Sequence, residues 1–409
     1  MFSVIEKNET SSSFILKNQI SKATIFTNAS VDEQYVIEKI KEDLKNDQLI
    51  EPLEEYKSQV YPLEKELFES INLKLGVDII SEDINLLDDD DKNYYIHLFR
   101  SANLDPNKEN FILIHGFLSS ALHFICLIPY LLKRYNIFVP DTIGMGLSAR
   151  PQIKFITPKQ SEDYFLNVFH VLIYDLIFSG RFNIKKEYYL CGHSLGGFFA
   201  SRYMLKHPKG IKKVLLLSPA GITNYRIPGS TISRKITFSK YCLSVFLPTC
   251  LWPCRLRVQG LFNCAICHNY IKNNYGEYLC DFSKCEVNKN PDGSKFIVDN
   301  AKVALLCRKL SILSLQYPKD LYRCAYYFFG TPPPAAFIPI EDQLLFTIYL
   351  PKIIIIFGEN DWMDIDGAYR LSIRRPETFK VFTISGAPHS FALTNPKEVC
   401  EIIEQYFED

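Results

Sequence analysis

The stretch that decides the fold reads Tyr188-Tyr189-Leu190-Cys191-Gly192-His193-Ser194-Leu195-Gly196-Gly197-Phe198-Phe199-Ala200. An apolar strand segment comes first, a Gly-x-Ser-x-Gly turn follows, and an apolar run at helical spacing comes last. A side chain at the apex of such a sharp strand-to-helix turn needs neighbours with almost no side chain, and Gly192 and Gly196 provide that room. The alternative is a glycine-rich turn without chemistry. The context favours a nucleophile at Ser194, with a helix N-terminus beside it that favours negative charge.

Strand-like and helix-like segments alternate on both sides of this turn. Short apolar runs separated by helical spacing predict a mainly parallel sheet with helices on both faces, which is an α/β fold. The alternation stops after Thr223 and resumes at residues 352–357 and 379–384, before a closing helix from Pro396 to Phe407. The earlier predicted strands are Tyr95 to Phe99, Asn110 to Ile114, Ile137 to Pro140, Glu187 to Cys191 and Val214 to Ser218.

These breaks in the pattern divide the chain into four regions. Residues 1–60 form an N-terminal extension that is poorly ordered or helical, and 61–223 form the first part of the sheet domain. Residues 224–331 form an inserted helical lid, and 332–409 complete the sheet domain. The apolar spacing between residues 31 and 75 predicts two helices, broken near Pro52.

The bulk composition limits the classes of function. The chain has 409 residues with 46 basic and 46 acidic side chains, so no global field points to a nucleic-acid partner. Twelve cysteines in so long a chain do not resemble a small disulfide scaffold, and the N-terminus lacks a basic start followed by an apolar run. We therefore expect an intracellular protein, cytoplasmic or peripheral on an organelle membrane. No run approaches the ~18 apolar residues of a membrane-spanning helix.

A serine nucleophile needs a histidine to accept its proton and a carboxylate to orient that histidine. Asp361 follows the strand at 352–357, and His389 follows the next strand. Because loops at the carboxyl ends of parallel strands meet at one edge of the sheet, both side chains are expected to reach Ser194. Glu359 and Asp364 are the rivals of Asp361 for the acidic role.

The oxyanion of such a reaction needs two converging backbone N–H groups. Leu195 follows the nucleophile and supplies the first. The segment Phe111-Ile112-Leu113-Ile114-His115-Gly116-Phe117 ends a predicted strand in a His-Gly turn. The N–H of Phe117 is therefore the candidate for the second.

With these motifs in hand, the chain resembles the α/β-hydrolase superfamily. Within it, the chain is similar to α/β-hydrolase domain-containing proteins four and five and to the fungal cardiolipin-specific deacylase. The resemblance runs from about Tyr61 to the C-terminus. It is carried by Leu113 to Phe117, Pro140 to Pro151, Gly192 to Phe198 and Gly358 to Asp364.

This resemblance implies an α/β-hydrolase fold and hydrolysis of acyl esters in phospholipids or lysophospholipids. Some members are reported as lysophosphatidate acyltransferases, and one acts as a lipase co-activator. The co-activator type has Asn at the nucleophile position, whereas this chain has Ser194. The subgroup's His-x-x-x-x-Asp acyltransferase motif is incomplete, because Thr394 stands five residues after His389.

The predicted insertion combines aromatic bulk with basic residues. Between Phe238 and Phe262, apolar and aromatic side chains are flanked by the basic residues Lys235, Lys240, Arg255 and Arg257, which suits a lid at an anionic membrane or lipid-droplet surface. A packed lid helix explains the pattern equally well.

Two groups of residues could suggest a metal site. Cys250, Cys254, Cys264 and Cys267 lie in the predicted insertion, and a zinc site is the less favoured interpretation of these four cysteines. The run from Asp88 to Asp91 is interpreted as a solvated turn.

The sequence thus predicts a serine hydrolase without metal or cofactor that cleaves carboxylic esters of lipids. Ser194 would attack, His389 would move the proton and Asp361 would orient it. The alternatives are an acyl-CoA-dependent lysophosphatidate acyltransferase and a non-enzymatic, lipid-associated scaffold.

Overall fold

Ten strands occur in the computed structural model, which describes residues 31–45, 48–49, 53–75, 79–87, 94–117, 119–152, 157–182, 187–224 and 338–407 and several positions between 302 and 313. The strands are β1 (Gln48–Leu49), β2 (Ile79–Asn85), β3 (Tyr95–Ser101), β4 (Glu109–Ile114), β5 (Tyr135–Pro140), β6 (Pro151–Gln152), β7 (Tyr188–His193), β8 (Ile211–Leu217), β9 (Lys352–Gly358) and β10 (Phe379–Ile384).

Eight of these strands form the central sheet, in the order β10-β9-β8-β7-β4-β5-β3-β2, while β1 pairs with β6 separately. From β10 to β5 all neighbours are parallel. Strand β3 is antiparallel to β5 and to β2, which makes one edge antiparallel. The predicted mainly parallel sheet is confirmed. Strand β2 was not predicted, because its sequence Ile79-Ile80-Ser81-Glu82-Asp83-Ile84-Asn85 carries the polar residues of a half-exposed edge.

Helices cover both faces of the sheet, as predicted. They are α1 (Val31–Leu44), α2 (Leu53–Leu75), α3 (Ile128–Leu131), α4 (Pro158–Phe178), α5 (Leu195–Lys206), α6 (Glu341–Phe346), α7 (Asp366–Arg374), α8 (Phe391–Thr394) and α9 (Pro396–Phe407). A short 3₁₀ helix spans Ala121–Phe124. Helix α2 begins before residue 61, where the sheet domain was predicted to start, and its Tyr56 and Val60 are buried in the core.

The isoleucines of β9 show how the sheet divides the core into two layers. Successive side chains of a strand point to opposite faces. Ile353 and Ile355 are buried in the layer that contains side chains of α4 and α5. Ile354 and Ile356 are buried in the layer that contains side chains of α2 and α9. A strand covered on both faces is apolar along its whole length, which is why four isoleucines occur in succession.

Most of the predicted insertion, residues 224–331, lies outside the described residues, so its boundaries remain a prediction. Where the chain is described on either side, the two ends are joined. The N–H of Ile340 donates to the Gly221 carbonyl, and the N–H of Glu341 donates to the Ile222 carbonyl, each at 3.0 Å. Four positions inside the predicted insertion are buried against the layer that contains α2. They are Val303, Leu306, Cys307 and Leu310.

Within the described ranges, every helix is too short or too polar to cross a bilayer.

Candidate active site

Ser194 lies at the turn between β7 and α5, with a backbone φ of 54°. A residue with a side chain adopts positive φ rarely, and such strain costs about 1–3 kcal/mol unless the surroundings enforce it. Hydrogen bonds enforce it here. The N–H of Ser194 donates to the Leu217 carbonyl at 2.9 Å, and the Ser194 carbonyl accepts from the N–H of Ala220 at 3.0 Å. The end of β8 therefore holds the turn in its strained conformation.

The two glycines of the motif are required by close backbone approach. A Cβ on Gly192 would overlap the carbonyl of Gly196, and a Cβ on Gly196 would overlap the carbonyl of Ile114. Gly116 is also close, because a Cβ there would lie 3.0 Å from the Cβ of Ser194. The turn is thus packed against the end of β4 without room for side chains. This is the physical basis of the steric requirement predicted from the sequence.

Asp361 and His389 lie in contact beyond the carboxyl ends of β9 and β10. His389 Nδ1 is 2.9 Å from Asp361 Oδ1 and 3.1 Å from Oδ2. The two loops are joined by their backbones, since the N–H of Asn360 donates to the Ala387 carbonyl at 2.9 Å. The carboxyl group is buried, whereas the imidazole is partly exposed. A proton on Nδ1 that donates to the carboxylate leaves Nε2 available to accept another proton.

The environment of Asp361 keeps its carboxyl group ionised. Burial alone would raise its pKa, but the charge of His389 and the hydrogen bonds from His389 and Ser218 hold the pKa below its ordinary value. The N–H of Met363 also donates to Oδ1, at 3.0 Å. At neutral pH this residue is therefore a carboxylate that only accepts hydrogen bonds.

Glu359 and Asp364, the rivals for the acidic role, have other partners. Glu359 is exposed and accepts from the Ser385 hydroxyl at 2.8 Å and from the N–H of Gly386 at 2.7 Å. Asp364 accepts from the N–H of Asp366 at 3.0 Å, at the beginning of α7. Of the three carboxyl groups, Asp361 is the one paired with His389.

Ser194 and His389 are brought near each other by His193, although the structure gives no direct hydrogen bond between the Ser194 hydroxyl and His389. The ring of His193 is 4.7 Å from that of His389, and its Nε2–H donates to the His389 backbone carbonyl at 2.9 Å. Burial and the neighbouring His389 lower the pKa of His193 to about 3, so His193 remains neutral. Separations between nucleophile and base are often longer in free enzymes than in substrate complexes.

The two residues predicted to supply the oxyanion N–H groups are Leu195 and Phe117. Leu195 is the first residue of α5, and the N–H groups of a helix's first turn have no intrahelical acceptor. Before Phe117, the Nδ1–H of His115 donates to the Gly116 carbonyl at 2.8 Å, while Nε2 accepts from the N–H of Thr142 at 2.9 Å. Since the C=O and N–H of a trans peptide point in opposite directions, this bond directs the N–H of Phe117 away from His115.

Three residues around the site were not predicted from the sequence. They are His115 in the His-Gly turn, His193 within the serine turn and Ser218 at the end of β8. Their roles depend on contacts between distant segments, and no spacing in the sequence signals those contacts. The exposed Trp362 is a fourth neighbour, with its ring 5.0 Å from that of His389.

The possible metal sites considered from the sequence cannot be compared with the structure. The four cysteines of the insertion and the run Asp88 to Asp91 lie outside the described residues. In the part of the chain that is described, no three His, Cys, Asp or Glu side chains are grouped to hold a metal ion.

Comparisons with known proteins agree with this architecture. Residues 109–236 match the family described as alpha/beta hydrolase fold. A 1-acylglycerol-3-phosphate O-acyltransferase of Arabidopsis thaliana is 21% identical over 288 residues, which cover 70% of this chain and 63% of that protein. A (lyso)-N-acylphosphatidylethanolamine lipase of Bos taurus is 22% identical over 312 residues, which cover 72% of this chain and 79% of the lipase. The chain thus spans less than two thirds of the Arabidopsis relative.

The carboxylesterase CesB of Bacillus subtilis is a solved structure with the same fold. It superposes with a TM-score of 0.53 over 86% of this chain and 98% of CesB, at 16% identity. So low an identity supports the fold and not the substrate. Together with the sheet order and the strained turn after β7, these matches show that the chain has the α/β-hydrolase fold.

Proposed function

We propose that this protein is a serine hydrolase that removes acyl chains from lipid esters. The observation that carries the proposal is the strained turn at Ser194, held by neighbouring strands, next to a buried Asp361 that is paired with His389. Strained residues cluster at reacting positions, because the surrounding fold must hold them there. A carboxylate bound to Nδ1 of a histidine is the arrangement that makes Nε2 a general base.

The reaction follows from these roles. Ser194 Oγ attacks the ester carbonyl carbon while His389 Nε2 takes the hydroxyl proton, and the carbonyl oxygen becomes negative. The N–H groups of Phe117 and Leu195 donate to that oxygen. His389 then returns the proton to the departing alcohol, which leaves the acyl group on Ser194. Water then attacks the acyl-enzyme while His389 takes its proton, and His389 gives that proton to Ser194 Oγ as the free acid leaves.

The lipid substrate class is inferred from the relatives. One is named a lipase for N-acylphosphatidylethanolamines and their lyso forms, and another an acyltransferase on 1-acylglycerol-3-phosphate. Both names describe glycerophospholipids with ester-linked acyl chains. The aromatic and basic stretch from Phe238 to Phe262 supports contact with an anionic lipid surface, as the sequence predicts. An intracellular location is part of this proposal.

The test compares the wild type with Ser194→Ala on a panel of phospholipids and lysophospholipids. Removal of the nucleophile should lower ester turnover by at least about 1,000-fold and abolish labelling by a fluorophosphonate probe. Ser201→Ala is a matched control, because Ser201 is also buried but donates to the Gly197 carbonyl at 2.8 Å within α5. Ester turnover that survives in Ser194→Ala, or a wild type that neither labels nor hydrolyses, contradicts the proposal.

A lysophosphatidate acyltransferase is the second candidate, because a relative carries that name. Thr394 stands where the subgroup's acyltransferase motif has an acidic residue, and its hydroxyl donates to the Asn395 side chain at 2.7 Å. Incubation with labelled acyl-CoA and lysophosphatidate distinguishes the two functions. Acyl incorporation that is faster than release by the purified protein favours the transferase, whereas net release favours the hydrolase. The scaffold alternative predicts neither activity.

A further inference from the structure

Ser218 lies immediately after β8 and contacts the proposed acidic residue directly. Its side chain is fully buried, and its hydroxyl donates to Asp361 Oδ2. Its own N–H donates to the Ile356 carbonyl at 2.8 Å, which anchors it to the neighbouring strand β9. Asp361 follows β9, so the carboxyl group reaches back across the sheet edge to β8.

The backbone of Ser218 is strained in the same sense as that of Ser194. Its φ is 43°, and among the described residues these two serines are the non-glycine residues with positive φ. A residue with a side chain is strained in this region, whereas glycine adopts it freely. What a glycine would lack at this position is the hydroxyl that contacts Asp361. An observed backbone outlier of this kind is grounds for a functional hypothesis.

The hydroxyl completes the set of donors around the carboxylate. Ser218 donates to Oδ2, the N–H of Met363 donates to Oδ1, and His389 Nδ1 faces both oxygens. With one further donor on each oxygen, the carboxylate plane cannot rotate away from the imidazole. Two further titratable groups lie near this pair: His193, and His123, whose ring stacks on that of His193 at 4.0 Å. Burial lowers the pKa of both imidazoles, so both are neutral.

The segment that begins with Ser218 also supports the nucleophile. The N–H of Ala220 donates to the Ser194 carbonyl at 3.0 Å, and Pro219 packs so closely on Gly197 that a Cβ on Gly197 would lie 2.7 Å from its Cβ. Residues 218–220 thus touch the acidic residue at one end and the serine turn at the other. A shift at Ser218 would therefore change the position of one group relative to the other.

We propose that Ser218 is a positioning residue whose hydroxyl orients the Asp361 carboxylate toward His389. This inference rests on the proposed function, because it assigns Asp361 the task of orienting the histidine. A hydrogen bond to a charged group contributes roughly 1.5–3 kcal/mol. Loss of the hydroxyl should therefore lower kcat by about 10- to 100-fold while KM changes little.

The experiment compares Ser218→Ala with Ser218→Gly. Both lack the hydroxyl, but only alanine retains the backbone strain, so alanine should unfold more easily. The proposal expects equal losses of kcat in the two variants despite different stabilities. It also expects the acid limb of the kcat/KM profile to move to higher pH, because a carboxylate that has lost a donor attracts the His389 proton more strongly. If the kcat losses of the two variants differ in step with their stabilities, or if the acid limb of the kcat/KM profile does not move, the proposal is overturned.

A measurement without substrate separates this proposal from the proposed function. In the proton NMR spectrum of the wild type, the proton between His389 Nδ1 and Asp361 should give a low-field resonance. This resonance should disappear in Asp361→Asn. The resonance should shift or broaden in both Ser218 variants and remain unchanged in Ser201→Ala. If the wild type shows it but hydrolyses no ester, the proposed function fails alone. If both Ser218 variants retain it unaltered, the positioning role fails alone.

Discussion

Gly116→Ala displaces the proposed nucleophile without removing any reacting group. A Cβ at this position would lie 3.0 Å from the Cβ of Ser194, 3.1 Å from Nδ1 of His193 and 3.3 Å from the His193 carbonyl oxygen. Optimal contacts between such atoms are about 3.5–4.0 Å. Relief of the overlap therefore requires a displacement of roughly 0.5 Å, and the atoms that must move belong to the serine turn.

The expected loss follows from that displacement. A nucleophile misplaced by 1 Å lowers the rate by about 100-fold, so a displacement of roughly 0.5 Å should lower kcat/KM by about 10-fold. The cost in stability should be small, about 1 kcal/mol, because one methyl group is overpacked. Hydrolysis of a short-chain p-nitrophenyl ester measures the first quantity, and urea unfolding measures the second.

Gly180→Ala is the matched control for this substitution. Gly180 lies just beyond α4 with a φ of 73°, and a Cβ there would have no neighbour within 4 Å. Alanine in this left-handed conformation should cost about 1–2 kcal/mol of stability and leave kcat/KM unchanged. Full turnover in Gly116→Ala, or an equal loss of turnover in both variants, would refute the reasoning.

Two further substitutions test the core and the antiparallel edge. Ile355→Ala should lower the free energy of unfolding by about 2–5 kcal/mol, because Ile355 is fully buried. The same change at the exposed Ile373 should alter it by no more than about 0.5 kcal/mol. Equal effects of the two substitutions in urea unfolding would contradict the two-layer core. Although burial opposes it, pairing with Glu64 and Asp83 raises the pKa of buried His97 to about 10. The stabilisation that protonated His97 provides is therefore complete below about pH 6.5 and is lost as the pH rises toward 10. His97→Gln should flatten that part of the stability profile, and an unchanged pH slope would rule this out.

The parallel part of the sheet could be predicted from the sequence because buried strands carry continuous apolar runs. The Ile353 to Ile356 run has no other explanation in a strand of that length. The edge strand β2 could not be predicted, because Glu82 and Asp83 interrupt its alternation. Both residues have partners elsewhere in the fold: Glu82 pairs with Arg100 and Arg181, and Asp83 pairs with His97. Only the folded chain reveals these long-range partners.

For the candidate site, the sequence was informative where a residue follows a strand. Asp361 and His389 were predicted from their positions after β9 and β10, and the structure brings them into contact. Ser218 also follows a strand, but a serine at a strand end is common and has no motif around it. Its significance depends on its φ and on one contact with a residue far along the chain. The catalytic roles of all these residues remain predictions.

The strained turn has a consequence for how this chain can change. Glycine at position 194 would adopt the positive φ without penalty, and it would remove the proposed nucleophilic oxygen at the same time. Stability and chemistry are thus opposed at the proposed nucleophile. Selection for thermal stability alone would favour glycine at this position and would yield an inactive protein if the proposed role of Ser194 holds. Substitutions that stabilise an active form must therefore lie at other positions.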